Sequence, residues 1–567
     1  MFFKNWRTRI FVIVVFIINF IILYRLYDLQ INKGAYYKEM AQGQHIGLVE
    51  KHGERGLIYF SGKEILAINN KEPYLFISPE EIKEKEETAK ILSEVTGKKS
   101  SFFLNLANIK GSFYNVIEKN ITIEKVEEIN NLNLSGVYIG YENKRYYPAE
   151  KTASQIIGFI NQEGIGQYGL ESYYDEELKG KLRIEEREKN PYSFLLNISE
   201  KDSIDGASLE LTIDYNIQFM TEKILKKGIE EYDAEGGEII IMDPNSGAII
   251  AMSQFPSFDP NNYKNESIEN FQNSSIQKIF EPGSIFKPIT MAIAINEGVV
   301  TPETIFNDDL GYVQFGTYRV SNLNNKAWGE VSMNTVLERS INTGVIFAEK
   351  KVGHQKFYNY LLDFGLFEKT NIDLAGEVYS KNNELKKALD NKIEVSFATT
   401  SFGQGIAMTP LQVITAFSAI VNGGTLYKPY IVKKINNKEI EPKIKREDII
   451  SEETSLKIRN MLINVIENGF GHLAQIEGYY IGGKTGTSQV PYASLGINKS
   501  GYSDHTWQTF MGFAPALDPS FIILVKLDNA QKVKTSEYSA VPIFNELSKY
   551  IIDYLQIPPN NKENLDK

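Results

Sequence analysis

The hydrophobic and polar positions divide the chain into three stretches of different character. Apolar residues are nearly continuous over 10–24, interrupted only by Asn19. Residues 40–205 are polar and mixed, with Lys/Glu runs such as Ile82–Glu87 that are typical of solvated helix faces. From about residue 207, apolar runs alternate with turn residues. This pattern predicts an N-terminal apolar helix, a polar intermediate region and a C-terminal globular region.

The C-terminal region begins and ends with strand patterns. Residues 238–242 and 248–253 are separated by Asp-Pro-Asn-Ser-Gly, which predicts a hairpin, and residues 507–513 and 521–527 predict a second one. A helix is predicted over 541–557, with one apolar face formed by Ile543, Leu547, Ile551 and Leu555. Strands at both ends with helices between them predict an α+β fold, an antiparallel sheet with helices packed on it.

Composition narrows the function classes. The 567 residues exceed the ~250–300 at which a single core stops growing, and 42% apolar with 23% charged residues is a globular mix. The net charge of −11 (61 basic minus 72 acidic residues) without a basic block disfavours a nucleic-acid partner. The chain has no cysteine, which excludes thiolate metal sites and thiol nucleophiles, and its five histidines lack ligand spacing. We therefore expect no metal and no cofactor.

The apolar run is long enough to anchor the chain in a membrane. With flanking aromatic residues, 10–27 approaches the roughly 20 residues that a span requires. Lys4, Arg7 and Arg9 precede the run, which predicts a cytoplasmic N-terminus. A cleaved signal peptide is the alternative, but its small-residue cleavage site is missing. We expect an uncleaved single-pass anchor with the rest of the chain outside the cytoplasm.

A serine and a lysine three residues apart, Ser284 and Lys287, follow the helix-breaking dipeptide Pro282-Gly283. Because residues i and i+3 share a helix face, the Lys287 amine can reach the Ser284 hydroxyl. A lysine with a lowered pKa can take the proton of a serine and so activate it as a nucleophile. The same spacing recurs at Ser275 and Lys278, without a helix break and in polar surroundings that indicate surface. A Ser-x-x-Lys spacing alone is a weak signal, so at this point Ser284 and Lys287 are one candidate for a catalytic pair.

Two further motifs lie downstream. Ser340 and Asn342 follow the predicted helix 334–339, where a hydroxyl and an amide can point into a cleft, whereas the similar Ser332 is better explained as the cap of that helix. Lys484-Thr485-Gly486-Thr487 combines a lysine and two hydroxyls with a glycine that allows close backbone approach. That combination predicts binding of a carboxylate.

The same lysine permits a competing interpretation. Gly478 to Thr485 also satisfies the phosphate-binding P-loop pattern. A P-loop requires an apolar strand before its first glycine and a long helix after its lysine, whereas a polar stretch precedes Gly478 and Pro491 follows Lys484 closely. The context therefore disfavours a nucleotide site.

In this order, the three motifs resemble those of the class B penicillin-binding proteins, which are membrane-anchored peptidoglycan transpeptidases. Other similar segments extend the resemblance over about residues 50–550: Arg145–Pro148, Gly164–Tyr173, Glu281–Pro288, Ser401–Gly405, Gly483–Ser488 and Phe510–Pro515. The resemblance implies a transpeptidase domain of the penicillin-binding and serine β-lactamase-like fold, an antiparallel sheet flanked by helices. It also implies an elongated N-terminal pedestal, or dimerisation-like, domain and one transmembrane helix. We expect the following parts: cytoplasmic N-terminus 1–9, anchor 10–27, pedestal 28–206, transpeptidase domain 207–557 and polar tail 558–567.

The resemblance further implies a serine acyl-enzyme. Lys287 would deprotonate Ser284, which would attack the penultimate carbonyl of a stem peptide ending in D-Ala-D-Ala. Backbone N–H groups of Ser284 and Thr487 would form the oxyanion hole. Ser340 would pass the proton to the leaving D-Ala.

The remaining motif residues would bind the substrate. Asn342 would hold the peptide amide, and the segment Lys484, Thr485, Gly486 and Thr487 would bind the terminal carboxylate. An amine on a neighbouring stem peptide would then accept the acyl group and close a crosslink in the cell wall. β-Lactam antibiotics would trap Ser284 covalently. A membrane glycan polymerase and division or elongation proteins are the implied protein partners.

The sequence leaves several points open. Phe60-Ser61-Gly62-Lys63 stands where the family usually has Asp-Arg-x-Gly, so the subfamily and the internal contacts of the pedestal are open. A D,D-carboxypeptidase or a β-lactamase on the same fold, or a non-enzymatic β-lactam sensor, would share the donor motifs. The short loops after Lys484 and the last helix near Ile557 resemble the division type more than the elongation type, which favours a septal role.

Overall fold

The computed structural model describes residues 6–33, 48–186 and 205–560. Two compact units alternate along the chain, one comprising 1–55, 69–146 and 179–206, and the other comprising 56–68, 147–178 and 207–567. The expected division at 206/207 is one cut in the sequence, whereas the structure assigns the earlier segments 56–68 and 147–178 to the second unit. Lys4 and most of the expected polar tail lie outside the described residues.

The first unit begins with a long apolar helix, as the sequence predicts. This helix, Trp6–Tyr27, is followed by a π-helical turn over Asp28–Asn32, and Ile13–Ile31 is long and apolar enough to span a membrane. The polar Asn19 within the run donates its Nδ2 hydrogen to the Val15 carbonyl oxygen at 2.8 Å. An internally satisfied amide is what an apolar environment requires. The helix is thus consistent with a membrane anchor.

The remainder of the first unit is a small α+β assembly. It contains residues 69–77 of strand Ile65–Ile77, whose last residues pair with Asn115–Lys119 in antiparallel register, and Val137–Tyr146 also pairs with this strand. Three helices bury apolar side chains against these strands: Lys85–Thr96, Ser100–Ala107 and Ile123–Asn131. Strands Leu48–His52 and Leu182–Glu186 form a separate antiparallel pair in this unit.

The second unit is built on an antiparallel sheet of five strands in the described chain. The strands are β1 (Gly236–Met242), β2 (Ile249–Phe255), β3 (Gly482–Pro491), β4 (Tyr502–Ala514) and β5 (Phe521–Asp528), in the spatial order β2-β1-β5-β4-β3. Both predicted hairpins, β1–β2 and β4–β5, are confirmed. Strand β3 lies at one edge of the sheet.

Helices cover both faces of this sheet. The main helices of this unit include α1 (Tyr215–Tyr232), α2 (Lys287–Asn296), α3 (Asn342–Val352), α4 (Pro410–Val421), α5 (Glu452–Asn468) and α6 (Ala540–Tyr554). Alternate residues of β1 enter different cores, because strand side chains point to opposite faces. Ile239 joins the core of α1 and α6, whereas Ile240 joins the core of α2, α4 and α5.

The last helix agrees with its predicted pattern except at its end. Ile543, Leu547 and Ile551 are buried as predicted, but Leu555 is 44% exposed. α6 ends at Tyr554, and Leu555 is its C-cap residue. 

Shorter elements complete the second unit. Its other strands are Ile58–Tyr59, Phe159–Ile160, Gly166–Gln167, Leu209–Leu211, Ile305–Asp308, Tyr312–Phe315, Tyr318–Ser321, Gly329–Ser332, Leu426–Tyr427, Val432–Ile435, Lys438–Glu439 and Ile444–Arg446. Its other α-helices are Ser154–Ile157, Gly169–Tyr173, Asp175–Leu178, Ile268–Phe271, Ser274–Gln277, Met333–Glu338, His354–Asp363, Asn383–Asp390 and Glu394–Thr400.

The segment that lacks the family's Asp-Arg pair is held by apolar contacts. Phe60 is fully buried, and its ring meets that of Tyr215 edge-on at 5.2 Å between centroids. A turn follows in which the Phe60 N–H donates to the Glu64 carbonyl oxygen at 2.9 Å, and Lys63 adopts a left-handed φ of 73°. In this chain an aromatic pair, Phe60 with Tyr215, therefore holds the segment in which the family usually has a charged Asp-Arg pair.

Candidate active site

The predicted nucleophile lies in a tight turn at the start of α2. Residues Gly283–Phe286 form a 3₁₀ turn, and α2 begins directly after it at Lys287, with Pro288 in its first turn, where a missing N–H is harmless. Ser284 is half-buried, whereas the Lys287 side chain is fully buried. The turn thus leaves the serine accessible and takes the lysine out of water.

The second motif lies between two helices. Ser340, with a left-handed φ of 53°, follows helix Met333–Glu338 and precedes α3. Its hydroxyl oxygen accepts hydrogen bonds from Lys287 Nζ and Lys484 Nζ, each at 3.0 Å. Residues from all three motifs therefore converge on one hydroxyl group. We expected Lys287 to reach Ser284, but its hydrogen bonds in the described structure go to the hydroxyl and the carbonyl oxygen of Ser340.

Asn342 begins α3 beside this hydroxyl. Its Nδ2 donates to the Ser321 carbonyl oxygen at 2.9 Å, which fixes the amide at the N-terminus of the helix. The predicted cap at Ser332 is confirmed, since its hydroxyl accepts from the Thr335 N–H at 3.3 Å. The two serines of similar sequence context therefore have different places in the structure, as predicted.

The third motif occupies edge strand β3. Lys484 is fully buried, and its Nζ also donates to the Thr485 carbonyl oxygen at 3.1 Å. Thr487 is exposed, and its hydroxyl oxygen accepts from the Ser536 N–H at 3.1 Å. A β-carbon on Gly486 would lie 2.4 Å from Thr509 Oγ1, so glycine is required for this strand to pack as it does.

This geometry rules out the P-loop interpretation of the same lysine. Residues Gly482–Pro491 form one continuous strand paired with β4, and Lys484 lies inside it. A P-loop lysine instead lies in a loop that opens a helix.

The second Ser-x-x-Lys segment, Ser275 to Lys278, differs from its prediction. The sequence predicted that Ser275 lies at the surface, but its side chain is fully buried, whereas Lys278 is exposed.

Burial lowers the pKa of both lysines. Desolvation lowers the pKa of Lys287 well below the usual lysine value, and the positive charge of Lys484 lowers this pKa further. Desolvation also lowers the pKa of Lys484, to about 7. Among the described residues, neither lysine forms an ion pair with an aspartate or glutamate. A buried lysine without a countercharge is one that can act as a base near neutral pH.

Two supports of the site were not found from the sequence. The Gly403 carbonyl oxygen accepts from the Gly283 N–H at 2.9 Å, and a β-carbon on Gly403, whose φ is 78°, would lie 2.3 Å from the Gly283 carbonyl oxygen. The resemblance pointed to residues 401–405 but gave no contact for them. This loop therefore braces the turn that carries Ser284.

The second support is a buried polar network behind α3. Thr343 Oγ1 donates to Asp308 Oδ1 at 2.9 Å, and Asn322 Nδ2 donates to Asp308 Oδ2 at 2.7 Å. Asn322 Oδ1 in turn accepts from the Thr343 N–H at 3.0 Å. The three residues are distant in sequence and form no motif, so only the folded chain reveals that they orient the start of α3.

Comparison with known proteins identifies the class to which this fold and site belong. Residues 237–549 match the model of the penicillin binding protein transpeptidase domain, and residues 50–211 match that of the penicillin-binding protein dimerisation domain. The chain therefore belongs to the penicillin-binding protein transpeptidase family, with the two-domain class B architecture.

Individual relatives agree over most of the chain. Stage V sporulation protein D of Bacillus subtilis is 32% identical over 532 residues, which cover 90% of this chain and 80% of the relative. Peptidoglycan D,D-transpeptidase FtsI of Escherichia coli K12 is 29% identical over 468 residues, covering 81% and 76% of the two chains. The crystal structure of penicillin binding protein 2X from Streptococcus thermophilus is similar in fold, with a TM-score of 0.74 at 22% identity over 89% of this chain and 80% of that one.

Proposed function

We propose that this protein is a serine-type peptidoglycan D,D-transpeptidase that crosslinks stem peptides through an acyl-enzyme on Ser284. The observation that carries the proposal is the pair of buried lysines, Lys287 and Lys484, which share the Ser340 hydroxyl and have no carboxylate countercharge among the described residues. Such an arrangement suits proton transfer at a serine. The Escherichia coli relative is named a peptidoglycan D,D-transpeptidase, which points to the same reaction.

In the proposed acylation step, neutral Lys287 takes the Ser284 proton while the serine oxygen bonds to the penultimate carbonyl carbon of a D-Ala-D-Ala peptide. The backbone N–H groups of Ser284 and Thr487 stabilise the resulting oxyanion. Ser340 then returns the proton to the departing nitrogen of D-Ala, because its hydroxyl lies at 3.0 Å from Lys287 Nζ. The peptide bond breaks and the acyl-enzyme remains.

Substrate binding in this proposal uses the other motif residues. Charged Lys484, with Thr485 and Thr487, binds the terminal carboxylate, and Gly486 keeps the strand close to the nucleophile turn, where Ile285 packs against it. Asn342 holds the peptide amide. The amine of a second stem peptide then attacks the acyl carbon and forms a new amide bond. The ester bond to Ser284 breaks, and the proton lost by the amine passes through neutral Lys287 to the Ser284 oxygen.

We also propose where in the cell the reaction takes place. The N-terminal helix would hold the chain in the cytoplasmic membrane with its N-terminus inside, which places the site next to the extracytoplasmic peptidoglycan. We propose septal synthesis as its setting, with a membrane glycan polymerase and division proteins as partners. A fluorescent fusion that localises to the lateral wall instead of the septum would contradict the septal part.

The test of the reaction uses the full-length protein in detergent. It is incubated with a D-Ala-D-Ala donor peptide and an amine acceptor peptide, and the products are analysed by mass spectrometry. The proposal expects release of D-Ala with a crosslinked dimer, both lost in Ser284→Ala. Hydrolysed donor without a dimer would indicate a carboxypeptidase, and rapid turnover of penicillin would indicate a β-lactamase. Stable penicillin binding without D-Ala release would indicate a sensor.

A further inference from the structure

Glu281 is a partly buried carboxylate three residues before the proposed nucleophile. Its Oε2 accepts a hydrogen bond from Tyr502 Oη at 2.9 Å. Burial raises the pKa of Glu281 to about 7, against the lowering effect of Tyr502 and of the Gly405 backbone. Within the described residues it forms no ion pair with a lysine or arginine. The carboxylate is therefore held in place but lacks a countercharge.

Strand β3 fixes where this carboxylate lies relative to the site. At its start, Lys484 bonds to Ser340, and two residues later Gly486 packs against Ile285. Two residues further on, Ser488 packs against Gly283, and its hydroxyl donates to the Glu281 carbonyl oxygen at 2.9 Å. From Lys484 onwards, the strand thus passes the proposed carboxylate pocket, then the nucleophile turn, then the Glu281 segment.

That order gives a direction to the donor peptide. Its terminal carboxylate would lie at Lys484 and its scissile carbonyl at Ser284, so the preceding residues would continue along β3 past Ser488. An edge strand offers unpaired backbone groups along which an extended peptide can lie. The residue upstream of D-Ala-D-Ala is thereby brought towards Glu281 and Tyr502.

We propose that Glu281 and Tyr502 form a specificity subsite for an ammonium group on the donor stem peptide, upstream of its D-Ala-D-Ala end. This inference rests on the proposed function. In that reaction the acceptor is an amine carried by a stem peptide, so a donor of the same kind carries the same group. The ammonium would donate a charge-assisted hydrogen bond to the Glu281 carboxylate, while Tyr502 keeps the carboxylate oriented.

The experiment compares two donor peptides that differ in one group. Both end in D-Ala-D-Ala, and the residue before this pair is lysine in one and Nε-acetyl-lysine in the other. The kcat/KM for D-Ala release is measured for each with full-length protein in detergent. We expect wild type to prefer the free amine by about tenfold, which corresponds to about 1.4 kcal/mol. Glu281→Gln should bring the ratio close to one.

The ratio separates recognition from folding and from the reaction itself. A general defect lowers kcat/KM for both peptides alike and leaves their ratio unchanged. Tyr502→Phe should reduce the preference in part, and Glu303→Gln, a change of an exposed carboxylate remote in sequence, should retain it. A wild-type ratio near one, or a preference that survives Glu281→Gln, would overturn the subsite. Absence of D-Ala release from both peptides would instead overturn the proposed function.

Discussion

Two fully or almost fully buried lysines on the same sheet, Lys484 and Lys526, have opposite electrostatic surroundings. Within the described part of the chain, Lys484 on β3 bonds only neutral oxygens, and burial lowers its pKa to about 7. Lys526 on β5 lies 2.6 Å from Asp528 Oδ1 and 3.1 Å from Glu238 Oε1. Burial acts to lower the pKa of Lys526 too, but the charges of these two carboxylates outweigh it and raise the pKa above the usual lysine value.

The difference lies in the countercharge rather than in the burial. Lys526 forms a structural ion pair with Glu238 and Asp528, in which the opposite charges compensate each other. Lys484 and Lys287 resemble reactive groups, because desolvation without compensation brings a lysine pKa towards neutral pH. Burial alone does not distinguish Lys526 from Lys484 and Lys287. The presence or absence of a carboxylate partner decides which lysine is available for chemistry.

The largest expected effect is on the lysine that we propose as the base. Lys287→Arg places a group that stays protonated where a neutral base is needed. Acylation by a fluorescent penicillin should fall by about 10²–10⁴-fold, the range typical of a lost general base. Lys278→Arg in the second Ser-x-x-Lys segment should label like wild type. Stopped-flow or gel-based labelling rates measure both, and a fall of less than threefold in Lys287→Arg would contradict the role.

The ion-paired lysine should instead matter for stability. Lys526→Met removes the charge that compensates Glu238, which is 2% exposed, and leaves a buried carboxylate. Loss of one partner of a buried pair costs about 3–5 kcal/mol. The free energy of unfolding in urea should fall by that amount. The double variant Lys526→Met with Glu238→Gln should recover part of the loss, and equal stability of the two variants would argue against the pairing.

The smallest expected effect is a pH dependence of the acylation rate. At low pH, kcat/KM should fall once Lys287, whose pKa is lowered, becomes protonated. Above about pH 7, kcat/KM should fall again as Lys484 loses the charge that binds the carboxylate, because its pKa is about 7. The decline should approach about tenfold per pH unit. Lys484→Arg keeps its charge and should lose the alkaline decline, and an unchanged profile would assign that decline to another group.

Much of the candidate site could be predicted because its motifs are local. Ser284 and Lys287 lie within one turn, and Lys484 and Thr485 lie on one strand. Both hairpins of the sheet were predictable for the same reason, since each has its turn residues between two apolar runs. The spacing did not reveal that Lys287 donates its hydrogen bonds to Ser340 rather than to Ser284.

The remaining features depend on contacts between distant segments. Asp308, Asn322 and Thr343 share no motif, and only tertiary folding brings their polar atoms together. Ser275 was misassigned to the surface because its neighbours are polar, although the folded chain buries it. The segments of the two compact units also alternate along the sequence, because 56–68 and 147–178 belong to the second unit. The composition of successive stretches of the chain does not reveal this division.

Covalent labelling of the full-length protein in detergent with fluorescent penicillin shows directly whether Ser284 is the nucleophile. Wild type and Ser275→Ala are compared with Ser284→Ala at matched folding, checked by circular dichroism. We predict a stable label in wild type and Ser275→Ala and no label in Ser284→Ala, and peptide mapping should place the label in the segment that contains Ser284. A label retained in folded Ser284→Ala, or absent from folded wild type with several β-lactams, would contradict this prediction.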